Sequence, residues 1–152
     1  MPSYVCSVPN GKLSDAQKQE IATSITNRHC HATGAPPFFV QVVIEEEGTS
    51  KRYIGGLVTT EYIWVRVDMR AGRSEELREE LMLHIVDDVS RISGVPVENV
   101  WINLCMLEPT DMVEYGRVLP GSGKEQQWFE TLPLPVRDRL EQLGINQHKF
   151  QL

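Results

Sequence analysis

Pro2, His29, Arg70 and Arg73 are the residues of this sequence whose types and settings point to chemistry. Removal of the initiator methionine, usual ahead of a small second residue, would make Pro2 a secondary amine at the chain terminus. Such an amine titrates near ~8 in water. Flanking arginines or an apolar pocket lower it further, because both disfavour the cation. It can then act as acid, base or nucleophile near neutral pH. Arg70 and Arg73 stand in MRAGRSEEL, at the turn into a helix. A helix N-terminus favours an anion through its free N–H groups and dipole, and two guanidinium forks add donors matched to a carboxylate. The alternative for the pair is solvation, or ion pairing with Glu75, Glu76 or nearby acids. His29 lies in TNRHCH on the apolar stripe of an earlier helix, where a satisfied core histidine is the ordinary alternative.

The elements that must position these residues form an internal repeat. The first unit is a strand near Tyr4 to Val8, a helix from about Ser14 to Thr33 and a strand Phe39 to Glu45. The second is a strand Tyr62 to Asp68, a helix from about Ser74 to Ser93 and a strand Val100 to Leu107. The two superpose at a constant offset of 60: Ser14 on Ser74, Ile25 on Ile85, Gly34 on Gly94, Pro36 on Pro96, Val40 on Val100. Serine at the N-cap, glycine just past the end and proline two residues on are helix start and stop chemistry. Each unit is a β-α-β, whose crossover helix makes its two strands parallel. The expected fold is therefore α/β: one small sheet with two helices on one face. The helix stripes (Ala22, Ile25, His29, Ala32; Leu77, Leu81, Ile85, Val89, Ile92) face that sheet. Runs such as VWINLCML and FFVQVVI leave the second face in need of cover, which predicts an oligomer. The whole of 1–152 is expected to be a single domain, with units at about 2–47 and 62–108 and a C-terminal extension at about 109–152. GTSKRYIGGLVTTE reads as a connecting hairpin or loop, and the tail after Leu119 as loop, short helix and mobile end.

A repeat also shows which positions packing alone does not require. The twin of His29 is Val89, the twins of Arg70 and Arg73 are Asn10 and Leu13, and the twin of Pro2 is Tyr62. The chemistry-bearing residues are therefore those at which the units differ.

Composition narrows the function classes. A net charge of −6 and an acidic pI near 5.2 argue against nucleic acid and acidic membrane surfaces as partners. Cys6, Cys30 and Cys105 are odd in number and lack CxxC spacing, which fits reduced thiols and a cytoplasmic location. No membrane span or secretory segment is expected. His29, Cys30 and His31 are helix neighbours that diverge by about 100° each, so they do not converge on a metal. Glu45 to Glu47 read as a solvated strand end, Phe38 and Phe39 as core with one a candidate pocket wall, and Trp64 and Trp101 as sheet or interface anchors.

Pro2, the histidine of TNRHCH, the RxxR of MRAGRS, IVDDVS and MVEYGRVLP occur in this order over a duplicated β-α-β. Together, from Pro2 to about Trp128, they resemble the tautomerase superfamily, specifically its cis-3-chloroacrylic acid dehalogenase branch. The resemblance implies a homotrimer of fused β-α-β pairs that needs no metal or organic cofactor and acts on a small carboxylic acid. It implies that Pro2 supplies or removes a proton at the carbon next to the substrate carboxylate, that Arg70 and Arg73 hold that carboxylate, and that His29 assists. Glu114 would help to activate water.

One position departs from the pattern. Where the dehalogenases pair that glutamate with a tyrosine eleven residues earlier, this chain has Asn103. Asparagine can hydrogen-bond a water but cannot relay its proton as a phenol does. The expected activity is therefore hydration or weak dehalogenation of 3-substituted cis-propenoates. Keto-enol tautomerisation of an enol-pyruvate type acid is the alternative, followed by β-keto acid decarboxylation and by a binding protein without turnover.

Overall fold

The computed structural model describes residues 2–121 and 123–147, with side chains as far as residue 143. In chain order the elements are β1 (Ser3–Val8), α1 (Asp15–Thr33), β2 (Gln41–Glu46), β3 (Arg52–Ile54), β4 (Leu57–Thr59), β5 (Ile63–Arg70), α2 (Glu75–Ser93), β6 (Val100–Leu107), β7 (Val113–Glu114), β8 (Arg117–Val118), α3 (Glu125–Glu130) and α4 (Leu134–Gln147).

Both long helices start and stop as their sequences dictate. Ser14 caps α1 through a reciprocal box: its Oγ accepts from the Gln17 amide at 3.3 Å, and its own amide donates to Gln17 Oε1 at 3.0 Å. Ser74 caps α2 with one half of that box, its Oγ accepting from the Leu77 amide at 3.3 Å, since a leucine has no side-chain oxygen to reciprocate. At the far ends Gly34 and Gly94 take φ of 70° and 72°, the left-handed conformation in which a Cβ is costly. The three residues after each Pro36 and Pro96 form a single 3₁₀ turn before the next strand begins. That turn takes Phe39 out of the strand expected over Phe39 to Glu45, so β2 starts at Gln41.

The main sheet has the order β2-β1-β5-β6. Within each unit the strands are parallel, and the units join through antiparallel β1 and β5, with Ser3 opposite Asp68 and Ser7 opposite Trp64. Alternation on β1 and β5 sends Tyr4, Cys6, Val8, Ile63, Val65, Val67 and Met69 under the helices, where they pack with Ile21, Ile25, Leu81, Ile85 and Val89. The two helices are clamped to one another at Asp88, which accepts from Ser24 Oγ and Arg28 Nε at 2.7 Å each and from Arg91 at 3.1 Å. The opposite sheet face carries Trp64, Arg66, Trp101 and Asn103, all exposed in the isolated chain.

GTSKRYIGGLVTTE forms the hairpin β3–β4, turned at Gly55 and Gly56 with φ of 59° and 83°. The tail holds more than one short helix, since α4 runs for 14 residues. Its apolar side builds a second core in which Leu119, Trp128, Leu132 and Leu140 close around Phe39. Trp128 is thus a core residue, with its indole N–H donating to the Val118 carbonyl at 2.8 Å. The mobile end expected before Gly144 is instead part of α4, which is helical from Leu134 to Gln147.

Candidate active site

The topology returns several chain segments to one end of the sheet. A helix following β1 must run back across it, so the last turn of α1 arrives where β1 starts. Because β5 is antiparallel to β1, its C-terminal residues arrive there too. Pro2, His29, Thr33, Phe39, Met69, Arg70 and Arg73 consequently line one cavity of about 290 Å³, closed from the tail side by Pro120, Gly123 and Glu125. Pro2 is buried, and its carbonyl accepts from the Gln41 amide at 3.1 Å, which fixes the start of β1.

His29 is 3% exposed. Its Nδ1 lies 2.8 Å from the Tyr4 hydroxyl, which makes no other hydrogen bond among the described residues. Burial raises the Tyr4 phenol well above its ordinary value, so it keeps its proton. That proton has one place to go, and donation to Nδ1 leaves the imidazole proton on Nε2. Burial first, and then the Arg73 cation, lower the His29 pKa to about 4. The side chain is thus a neutral imidazole at physiological pH, with an N–H free to donate.

The two arginines differ in their surroundings. Arg70, at the end of β5, is 9% exposed and donates through Nη1 to the Pro120 carbonyl at 2.8 Å and through Nη2 to the Glu125 carboxylate. Arg73 stands directly before the N-cap Ser74 of α2 and makes no ion pair or hydrogen bond among the described residues. Neither pairs with Glu75 or Glu76. Burial resists ionisation of Glu125, but its bonds with Arg70 and nearby amides outweigh that and leave its pKa below the ordinary carboxylate value.

Glu114 and Asn103 are not brought into this cavity. Glu114 borders a neighbouring cavity of about 690 Å³ together with Ser3, Phe38, Gln41 and Tyr115; Phe39 walls both. Glu114 ends β7 of a two-residue hairpin whose turn, Tyr115–Gly116, has φ of 50° and 77°. A tyrosine there is strained, and it is held by its hydroxyl donating to the Phe38 carbonyl at 2.6 Å. Burial pushes the Glu114 carboxyl above its ordinary value. Asn103 sits on the open sheet face, opposite Arg66 in β5, and its Oδ1 accepts from Trp64 Nε1 at 2.6 Å.

Sequence reasoning missed Tyr4 and Glu125. Tyr4 was legible only as a strand residue, although it falls on the same buried side as the helix histidine. Glu125 lies in the tail, which has no twin in the repeat, so nothing in the pattern set it apart.

The Tautomerase_3 family, described as "Putative oxalocrotonate tautomerase enzyme", matches residues 1–131. The chain belongs to the tautomerase superfamily. Within this superfamily it falls in the cis-3-chloroacrylic acid dehalogenase branch. It is similar to the crystal structure of N1, a member of that family, at 28% identity over 92% of this chain and 99% of that one, with a TM-score of 0.87. Native Ps01740 is 30% identical over 74% of this chain and 99% of its own, with a TM-score of 0.69. A further tautomerase-fold relative, the symmetric trimer Q0 fused 4-OT, is 25% identical over 76% and 94% of the two chains, with a TM-score of 0.69. Nothing among the curated proteins matches the sequence. Among the described residues, no helix is long and apolar enough to cross a membrane, and no group of three His, Cys, Asp or Glu could hold a metal.

Proposed function

We propose that this tautomerase-fold enzyme adds water to small unsaturated carboxylic acids through an amino-terminal Pro2. It would hydrate 3-substituted cis-propenoates and dehalogenate their halogenated members weakly. The observation that carries the reading is the convergence of Pro2, His29, Arg70 and Arg73 on one buried cavity. None of these types is kept at the twin position in the repeat, so packing of the β-α-β unit does not account for them.

Arg73, backed by Arg70, attracts the carboxylate, and the N–H on Nε2 of His29 adds a neutral donor. Polarisation of the conjugated double bond toward this cationic wall makes the β-carbon electrophilic, and the charge that develops in the transition state falls where the guanidinium groups already are. Water attacks the β-carbon while Pro2, as a secondary ammonium, gives its proton to the α-carbon. With a halogen on the β-carbon, the resulting 3-halo-3-hydroxy acid expels hydrogen halide to leave the aldehyde acid, and Pro2 recovers its proton from the water consumed. Glu114, which borders the adjoining cavity that shares Phe39 with this one, would take the proton of the attacking water where it comes within hydrogen-bond reach and pass it back to Pro2.

Asn103 faces away from this cavity, on the open sheet face. A role for it in orienting water requires that a second protomer cover that face, which fits the homotrimer proposed for the chain. Tautomerisation of an enol-pyruvate type acid is the second reading. It is favoured by Asn103 facing away from the Pro2 cavity, where the dehalogenases have a tyrosine, since proton transfer by Pro2 alone needs no activated water.

A panel of cis and trans 3-haloacrylates, acetylenic acids and enol-pyruvates, followed by proton NMR, tests the proposal. Water addition by the wild type that disappears in a folded Pro2→Ala variant is expected. Methionine retained on the purified protein, or turnover unaffected by Pro2→Ala, overturns it.

A further inference from the structure

We propose that Glu125 makes the Pro2 cavity selective for acids with a single carboxylate and turns away dicarboxylates. This rests on the reading of that cavity as a carboxylate site and names the substrate class it takes.

The charged side chains lining the cavity are Arg70, Arg73 and Glu125. They are not equivalent. Both terminal nitrogens of Arg70 already donate within the chain, one to the Pro120 carbonyl and the other to the Glu125 carboxylate, whose charge offsets that of the guanidinium. Glu125 thus occupies, from within the chain, the position a substrate carboxylate would take on Arg70. Arg73 is the guanidinium without a partner among the described residues. One anionic group can therefore be matched at Arg73. A second carboxylate on the same small molecule, in a space of about 290 Å³, meets the Arg70–Glu125 pair and faces the Glu125 charge instead of an available fork. With its side chain 34% exposed and that of Arg70 10% exposed, the pair sits where water screens it incompletely.

Two isosteric cis acids separate charge from shape: maleamate, a monoanion, and maleate, a dianion at pH 8. Their dissociation constants for the full-length protein, measured by NMR titration at low salt, give a ratio that charge alone should set. The wild type is expected to bind maleate about tenfold or more weakly than maleamate. Glu125→Gln keeps an oxygen to accept from Arg70 but removes the charge. It should tighten maleate about tenfold and the monoanion only a few-fold, collapsing the ratio, while Glu125→Asp preserves it. Discrimination by the wild type should also narrow as salt rises, a readout that requires no variant to fold. A ratio unchanged in Glu125→Gln, or a wild-type ratio insensitive to salt, overturns the inference and leaves the carboxylate site standing. If neither acid binds the wild type, the carboxylate site falls, and the inference falls with it.

Discussion

The Tyr4 hydroxyl and Nδ1 of His29 meet at 2.8 Å between the first strand and the first helix, both residues buried. The rings themselves pack edge to face, with centroids 5.9 Å apart. This contact joins the core to the cavity. It satisfies the only polar atom of the Tyr4 side chain and decides which imidazole nitrogen carries the proton.

Stability should fall with acid through His29. Its pKa of about 4 lies below the 6.5 of the unfolded side chain, so between these values the unfolded chain binds more protons than the folded one. The contribution is fully present above pH ~6.5 and is lost as pH falls toward ~4, amounting to about 3 kcal/mol at most. Urea unfolding at a series of pH values should show this slope in the wild type. Tyr4→Phe combined with His29→Val, the residue found at its twin Val89, should flatten it. A slope that persists in the double variant would assign it to other groups.

Asp88 is expected to matter for stability and not for catalysis. It joins Ser24 and Arg28 of α1 to Arg91 of α2, away from the Pro2 cavity, and these bonds, the one from Arg28 foremost, hold its carboxyl far below the usual range. Its depressed pKa means that the clamp is intact above the unfolded value near ~4 and loosens only in stronger acid. Asp88→Ala takes the acceptor from Ser24 and Arg28, while the exposed Arg91 keeps Glu20, a loss on the order of 1 kcal/mol. Thermal melts and steady-state kinetics on the same sample check both halves; a drop in kcat at temperatures where the variant is fully folded would contradict the assignment.

Tyr115→Phe removes the bond to the Phe38 carbonyl that holds the Glu114 hairpin in its strained turn. A cost of about 1 kcal/mol in stability is expected. In kinetics, water addition should slow several-fold while the affinity for the carboxylate stays near wild type, because Arg70 and Arg73 are on the other side of Phe39. Equal losses in kcat and in affinity would place Glu114 outside water activation.

Asn103→Tyr should raise water addition more than tautomerisation, since a phenol can pass on a proton that an amide cannot. Parallel assays of a cis-3-haloacrylate and an enol-pyruvate on the same variant give the comparison. Equal effects on both would remove Asn103 from the discussion of water.

Much of this molecule is local, and the local part was readable. Helix caps, helix stops and the alternation of strands are decided by residues a few positions apart, so Ser14, Gly34 and their twins mark both units in the sequence alone. The same repeat singled out Pro2, His29, Arg70 and Arg73 by the failure of their twins to match. That these residues share a cavity depends on the antiparallel register of β1 and β5, which pairs residues 57 to 65 positions apart and is fixed by which side of each strand is buried. Arg70 meeting Glu125, Tyr4 meeting His29, and Glu114 lying behind Phe39 depend on packing between segments 25 to 77 residues apart. Sequence pattern determined what each element is and which residues exceed the needs of packing. Tertiary structure alone decided their partners, because ion pairs and hydrogen bonds over such separations are chosen by the geometry of the assembled core and by no short-range preference of the chain.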